Sequence, residues 1–291
     1  MQALRRRIEA RVMSLSGLSL GQIDYENPKD DPGLFGPHSM PWEVHRDFTS
    51  MLVGGIGSLL LQMLHPLALA GVWEHSNFRQ DMLGRLRRTG QFVAGTSFAP
   101  TASVDWLIDK VRNIHLKVSG TTADGRTYAA SDPALLTWVH VAEVSCFLAS
   151  YLRYCNPTLS GAEQDRYYAE IAIVAERLGA RDVPRSRQAV ANYLTAMRPQ
   201  LVCDQRTREI CQILLNAPAP SRAAAPVSRL FMQAGIDLLP DWTQQQLGLQ
   251  QAAWQRPLIR AGVHSLAPVL RWAVRDGAIF RARRRMGLPP C

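Results

Sequence analysis

The sequence predicts an all-α protein, formed by a single globular domain of many helices. Three observations lead to this prediction. The chain has 291 residues and is 47% hydrophobic, which is enough to bury a full core. Helix-forming residues dominate, and apolar residues recur at helical spacing. Asn-Gly turns and β-branched alternation, which are typical of β-hairpins, are scarce.

The first part of the chain is rich in turn signals, so residues 1–41 are predicted to form a loop-rich N-terminal arm. A helical domain is predicted over 42–291. Its first helix covers 42–64 and is broken at His65-Pro66, because proline cannot continue the hydrogen-bond pattern of a helix interior. A short continuation follows over 67–73.

Capping signals determine the later boundaries. Asp132 and Pro133 are typical of a helix start, Ser160 with Glu163 forms a capping box, and Gly179 is a helix stop. The predicted helices cover 79–95, 102–118, 132–156, 160–179, one or two segments within 184–216, and, after an alanine-proline linker at 216–226, the segments 227–237, 241–254 and 257–285.

The segment between Asp47 and Glu74 carries no charged residue and is long enough to cross a bilayer. Gln62, His65 and Pro66 interrupt it, and no basic cluster flanks it. The segment is therefore interpreted as a buried helix with a break, and peripheral contact with a membrane is left open.

Five cysteines without a CxxC spacing argue against a disulfide framework or a structural zinc site. With no cleavable signal at the N-terminus, a cytoplasmic location is expected. The net charge of +9 is concentrated at the two ends of the chain, and residues 252–291 carry eight arginines against one acid. We interpret them as a solvated basic helix end and expect no nucleic-acid partner, because no recognition motif accompanies them.

Two histidines flank a turn-rich loop at residues 119–131. His115 lies at helical spacing from Ile108 and Val111, and His140 lies at helical spacing from Leu136, so both are predicted to point inward. Helices joined by a short loop usually pack near one another. The two histidines are therefore candidates for lining one shared apolar cavity.

Neutral imidazoles in an apolar cavity suit the axial positions of haem iron. Arg112, one turn before His115, is a candidate partner for a haem propionate or for negative charge on a dioxygen-derived group, and Arg126 is a second propionate candidate. Two alternatives stay open. The histidines are core residues bonded to backbone carbonyls, or His115, His140 and Glu143 form a non-haem iron site.

Four segments resemble one oxygenase family, which includes the fungal ER-bound oxygenase of mycophenolic acid biosynthesis and bacterial rubber oxygenase. The resemblance covers residues 42–200. It is carried by LLLQMLHPLALAGVWEHSNFRQDMLGRLRRT (59–89), RNIHLKVSG (112–120), YAASDPALLTWVHV (128–141) and RYYAE (166–170).

The resemblance implies a globin-reminiscent fold with a buried pocket for haem b. His140 would be the proximal iron ligand, His115 would replace a distal lysine of rubber oxygenase, and Arg112 would match the arginine three residues before that lysine. Leu116 stands where rubber oxygenase has threonine. The implied activity is an oxidoreductase, an oxygenase that oxidises a hydrophobic small molecule with dioxygen and an electron donor.

Two other functions remain alternatives. One is a haem-binding or electron-transfer protein with two histidine ligands and no substrate turnover. The other is a helical binding protein without a cofactor.

Overall fold

The described part of the chain consists of α-helices, three short 3₁₀ helices and one short β-hairpin. In the computed structural model, residues 1–15, 17–219 and 221–289 are described. The helices are α1 (Gln2–Leu15), α2 (Met40–His45), α3 (Phe48–Gln62), α4 (Pro66–His75), α5 (Met82–Phe98), α6 (Thr101–His115), α7 (Pro133–Tyr154), α8 (Gly161–Leu178), α9 (Arg187–Met197), α10 (Gln205–Leu215), α11 (Ala225–Leu238), α12 (Asp241–Leu247), α13 (Gln255–Ala273) and α14 (Ala278–Arg285). The antiparallel strands β1 (Ser119–Thr121) and β2 (Thr127–Ala129) lie between α6 and α7.

Side-chain caps begin several of these helices. The carboxylate of Asp132 accepts hydrogen bonds from the first turn of α7, and Pro133 occupies a position where no N–H is needed. Ser160 and Glu163 form the predicted capping box of α8, which ends at Gly179 in a left-handed conformation. Local sequence signals therefore set both ends of α8 and the start of α7.

Helices α3 and α7 form the centre of the core and pack closely along each other. Glycines allow the approach: a Cβ atom at Gly54 would lie 3.0 Å from both the Cα of Phe147 and the backbone oxygen of Cys146. Helix α11 also packs on α3, and α8 packs on α2, α6 and α7. This arrangement buries α7, the helix that carries His140.

The all-α prediction is confirmed. Helix α1 was not predicted, because it lies in the segment interpreted as a loop-rich arm. The predicted helix 42–64 is divided into α2 and α3 at Asp47, whose side chain caps α3. Similarly, the predicted helix 257–285 is divided at residues 274–277 into α13 and α14. The likeness to globins stays a prediction.

Two parts of the described chain have the length and composition of a membrane span. The first is α7, of which 72% of the apolar window is buried within the protein. The second is the pair α3 and α4, which bends by 103° at the predicted His65-Pro66 break. The burial of α7 is typical of the core helix of a globular protein.

The basic C-terminal segment is folded against the rest of the protein. The Arg285 side chain is fully buried and donates hydrogen bonds to the backbone oxygens of Tyr25, Asp31 and Phe98. Arg284 pairs with Glu26. The interpretation of a solvated basic helix end is therefore wrong for Arg285, whose guanidinium group holds three chain segments together.

The cysteines of the described chain are free thiols at Cys146, Cys155, Cys203 and Cys211. Cys291 lies outside the described residues. No disulfide crosslinks the described part of the chain.

Candidate active site

Helix α7 holds His140 in a fixed position. The indole N–H of Trp138 donates to the backbone oxygen of Gln62, and the Gln62 side chain donates back to the backbone oxygen of Val139. The hydroxyl of Thr137 donates to the backbone oxygen of Arg181. These bonds tie the segment just before His140 to α3 and to the loop after α8.

His140 is 7% exposed, as the helical spacing predicted. Burial lowers the pKa of its imidazole to about 4, so the ring is neutral near pH 7. Neither ring nitrogen has a hydrogen-bond partner among the described residues. A neutral imidazole with a free nitrogen is the form that binds a metal.

His115 is the last residue of α6 and is partly buried. Its Nδ1 atom is buried without a hydrogen-bond partner, and burial lowers the pKa of the ring. Buried polar atoms are usually hydrogen-bonded, so an unpaired nitrogen indicates a partner that the chain does not supply.

The predicted cavity shared by His115 and His140 stays a prediction. Helix α6 packs mainly against α5 and α8, whereas α7 packs mainly against α3, α8 and α2. Within the described chain, no hydrogen bond, ring contact or electrostatic interaction joins the two imidazoles. His140 is buried and His115 is partly buried, and neither imidazole has a hydrogen-bond partner in the described residues.

Arg112 and Arg126 differ in their surroundings. Arg112 is exposed one turn before His115 and has no ion-pair or hydrogen-bond partner in the described residues. Arg126 lies at the tip of the β-hairpin and pairs with Asp124 at 2.7 Å. Arg112 is therefore free to bind an anionic group, while Arg126 would have to release Asp124 first.

A buried hydrogen-bonded chain near His140 was not predicted. His45 on α2 bonds through Nδ1 to the hydroxyl of Ser97 at 2.7 Å and through Nε2 to the hydroxyl of Tyr167 at 2.8 Å. Burial, followed by the charge of His140, lowers the pKa of His45 to about 3. These hydrogen bonds join three helices, α2, α5 and α8, that are far apart in sequence, so no local sequence signal could have revealed them.

Glu143, one turn after His140, has an enclosed carboxyl group. Burial raises its pKa to about 7, so a large fraction of this side chain is protonated at neutral pH. Its charge also contributes to a raised pKa of the Tyr167 phenol, after burial and Tyr168. Glu143 therefore lies near Tyr167, one end of the hydrogen-bonded chain of His45.

Two further histidines of the resembling segments have protein partners. The Nδ1 atom of His65 accepts from the backbone N–H of Ala68 and caps α4. His75 bonds to the hydroxyl of Tyr128. These bonds agree with structural roles.

The described residues contain no group of three or more His, Cys, Asp or Glu side chains that could hold a metal ion. The proposed non-haem set of His115, His140 and Glu143 is therefore not assembled. A cavity of about 460 Å³ lies between residues 78–83 and the end of α10. Neither this cavity nor a smaller neighbour is lined by His115 or His140.

Residues 42–272 match the family described as ER-bound oxygenase mpaB/B'/Rubber oxygenase, catalytic domain. The chain belongs to this family. The match extends beyond the predicted limit at residue 200 and includes α10 to α12 and most of α13. No curated protein and no solved structure matches the chain.

Membership in this oxygenase family implies an oxidoreductase that acts with dioxygen, a substrate and a cofactor. The helices that place His140 and His115, α7 and α6, both lie inside the matched segment.

Proposed function

We propose that this oxygenase-family protein is a haem b-dependent oxygenase that oxidises a hydrophobic small molecule and binds the haem iron through His140. The observation that carries the proposal is the buried, neutral imidazole of His140 without a hydrogen-bond partner. Haem would supply a redox-active iron at this nitrogen.

A comparison of the buried histidines supports this choice. His45 and His65 are as buried as His140, and both have hydrogen-bond partners within the protein. His140 and the Nδ1 atom of His115 do not. The two imidazoles that lack a hydrogen-bond partner in the described residues are therefore the same two that the family resemblance assigns to iron.

Haem fits the available donors better than a non-haem metal. A mononuclear non-haem iron needs three protein ligands near one point, and the described residues contain no such group. Haem would bring four nitrogen ligands of its own, so that one histidine of the protein would be enough to hold its iron. A single unpaired imidazole at His140 meets that need.

His115 and Arg112 have supporting roles in the proposal. His115 would be a second ligand of the iron or would guard access to it, and the free guanidinium of Arg112 would bind negative charge, such as that of a haem propionate. The rubber oxygenase named in the family description acts on an apolar polymer, which supports an apolar substrate for this chain.

The test is a titration of the purified protein with haem b, followed by its Soret absorbance. Wild-type protein is expected to bind about one haem per chain, and His140→Ala is expected to weaken binding by about tenfold or more, because loss of the axial nitrogen removes the bond to iron. The matched control is His75→Gln, since His75 is exposed and already has a partner in Tyr128.

Equal haem affinity in wild-type protein and His140→Ala would contradict the assignment of His140. Carbon monoxide binding to the reduced protein separates the oxygenase from the electron-transfer alternative. An oxygenase with an accessible second axial side binds carbon monoxide in the wild-type protein. A carrier with two permanent histidine ligands binds it only after His115→Ala.

A further inference from the structure

The solvent-facing side of α13 is apolar. Trp254, Leu258 and Val269 are 66%, 63% and 45% exposed. Together with the exposed Ala261 and Ser265 they follow one another at steps of three and four residues, so they share one face of the helix. A surface helix usually directs charged side chains to the solvent. An exposed helix face without charge therefore indicates a surface that binds a partner.

The charged residues of α13 lie away from this apolar face. The helix contains no acid, and its basic side chains each pair with a carboxylate outside α13: Arg256 with Asp241, Arg260 with Asp237, and Arg271 with Asp47. On the inner side of the helix, Val263 and Ala267 are buried in the core. The charge of α13 is therefore compensated within the fold, and its outer face stays neutral.

Exposed arginines without an acidic partner lie on the helices that pack beside α13. Helix α1 lies at the C-terminal end of α13, where Arg5 donates to the backbone oxygen of Ala273. Arg6 and Arg7 of α1 are exposed and have no ion-pair or hydrogen-bond partner in the described residues. The same is true of Arg229 on α11, which also packs on α13. Positive charge therefore borders the apolar face.

The shape and the charge of this surface favour an anionic membrane as the partner. The face is a ridge on a single helix of 19 residues, about 28 Å long at the usual rise per residue. Exposed tryptophan and leucine on one face of a helix, with arginines around it, are typical of helices that lie in the membrane interface. Acidic lipid headgroups attract such arginines. A second copy of the chain would bring the same unpaired arginines, so like charges would oppose that contact.

We propose that α13 docks on the surface of an anionic membrane. Trp254, Leu258 and Val269 would enter the boundary between headgroups and acyl chains, and the arginines of α1 and α11 would bind acidic headgroups. The attachment is peripheral, because Val263 and Ala267 keep the opposite side of α13 in the protein core. Neither this surface nor its test depends on the proposed haem chemistry.

Co-sedimentation of the full-length protein with vesicles tests the proposal. One set of vesicles contains phosphatidylcholine alone, and the other contains phosphatidylcholine and phosphatidylglycerol in equal parts. Trp254→Gln removes the largest apolar side chain of the face. Trp106→Gln is its matched control, because Trp106 is 44% exposed on α6. Arg7→Gln removes one of the bordering charges, and its control is Lys117→Gln, since Lys117 is an exposed cation that follows α6.

Wild-type protein is expected to bind the anionic vesicles about tenfold or more tightly than the neutral ones, and added salt should weaken the binding. Trp254→Gln should weaken it by about tenfold, because a large apolar side chain no longer leaves water. Arg7→Gln should weaken it by about fivefold, through the loss of one charge near the headgroups. Both control variants should bind as wild-type protein does.

Wild-type protein that does not bind the anionic vesicles overturns the proposal, as does an equal loss of binding in Trp254→Gln and Trp106→Gln. Analytical ultracentrifugation without lipid tests the other occupant. A dimer that Trp254→Gln dissociates, together with an absence of vesicle binding, would assign the face to a second copy of the chain and overturn the membrane proposal. The comparison of the two vesicle types with wild-type protein decides the question even where a variant does not fold.

Discussion

Tyr167, His45 and Ser97 form a hydrogen-bonded chain in which each proton has a defined direction. The hydroxyl of Ser97 donates to the backbone oxygen of Val93, so it accepts from the Nδ1–H of His45. The Nε2 atom of His45 is then left to accept from the phenol of Tyr167. This neutral chain stabilises the core without placing a charge in it.

Tyr167→Phe is expected to destabilise the protein by about 1–3 kcal/mol, because it leaves the buried Nε2 atom of His45 without a donor. The neighbouring Tyr168 is a matched control: it is also buried, and its hydroxyl has no hydrogen-bond partner in the described chain. Tyr168→Phe should therefore cost less. Urea denaturation of both variants measures the difference, and equal losses would contradict the direction assigned to the chain.

Between elements, the close packing of α3 on α7 is what positions His140. A Cβ atom at Gly54 would lie 2.9 Å from the ring of Phe147 and 3.0 Å from its Cα atom. Because backbone atoms are among these neighbours, the two helices would have to separate to accommodate a side chain. The hydrogen bonds that join Gln62 to α7 depend on the same separation.

Gly54→Ala is therefore expected to destabilise the protein by about 1–3 kcal/mol through overpacking. Gly55→Ala is the control in the same helix, because its Cβ atom would meet the Phe147 ring at an ordinary 3.9 Å. That substitution should be neutral or stabilising by up to about 1 kcal/mol, since alanine favours helix more than glycine does. Thermal unfolding distinguishes the two, and equal melting temperatures would reject the glycine-dependent packing.

At the scale of the whole molecule, the buried titratable groups make the stability of the protein depend on pH on both the acidic and the alkaline side. The pKa values of His45 and His65 are lowered from 6.5 to about 3 and about 4, mainly by burial. Between pH 6.5 and those values the unfolded chain binds more protons, so stability falls as the pH is lowered. Burial raises the pKa of Glu143 from 4.5 to about 7, so the folded protein holds this proton more tightly than the unfolded chain does. The stabilisation that results is complete below pH 4.5 and is lost as the pH rises through 7.

Glu143→Gln is expected to remove this loss on the alkaline side. The variant should be more stable than wild-type protein at pH 8, and the difference should shrink towards pH 4.5, because glutamine resembles the protonated acid. Denaturation curves at several pH values measure it. Glu176→Gln is the control, since Glu176 pairs with Arg185 at the surface; a similar pH profile in both variants would contradict an enclosed Glu143.

The sequence by itself determined the helical class, the caps at Asp132 and Ser160, the stop at Gly179, the break at His65-Pro66, the inward position of His140 and the family. These features depend on local backbone chemistry, on the spacing of apolar residues and on motifs within short segments. Helix α1 was missed because the turn residues that follow it led to the whole segment 1–41 being interpreted as loop-rich. The division between α2 and α3 was missed because the cap at Asp47 lies within a stretch whose apolar residues favour one continuous helix. Only the tertiary structure decided which polar groups have partners. The hydrogen bonds from Tyr167 to Ser97 and those of the enclosed Arg285 join residues far apart in sequence, and burial acts on a side chain through whichever segments pack around it.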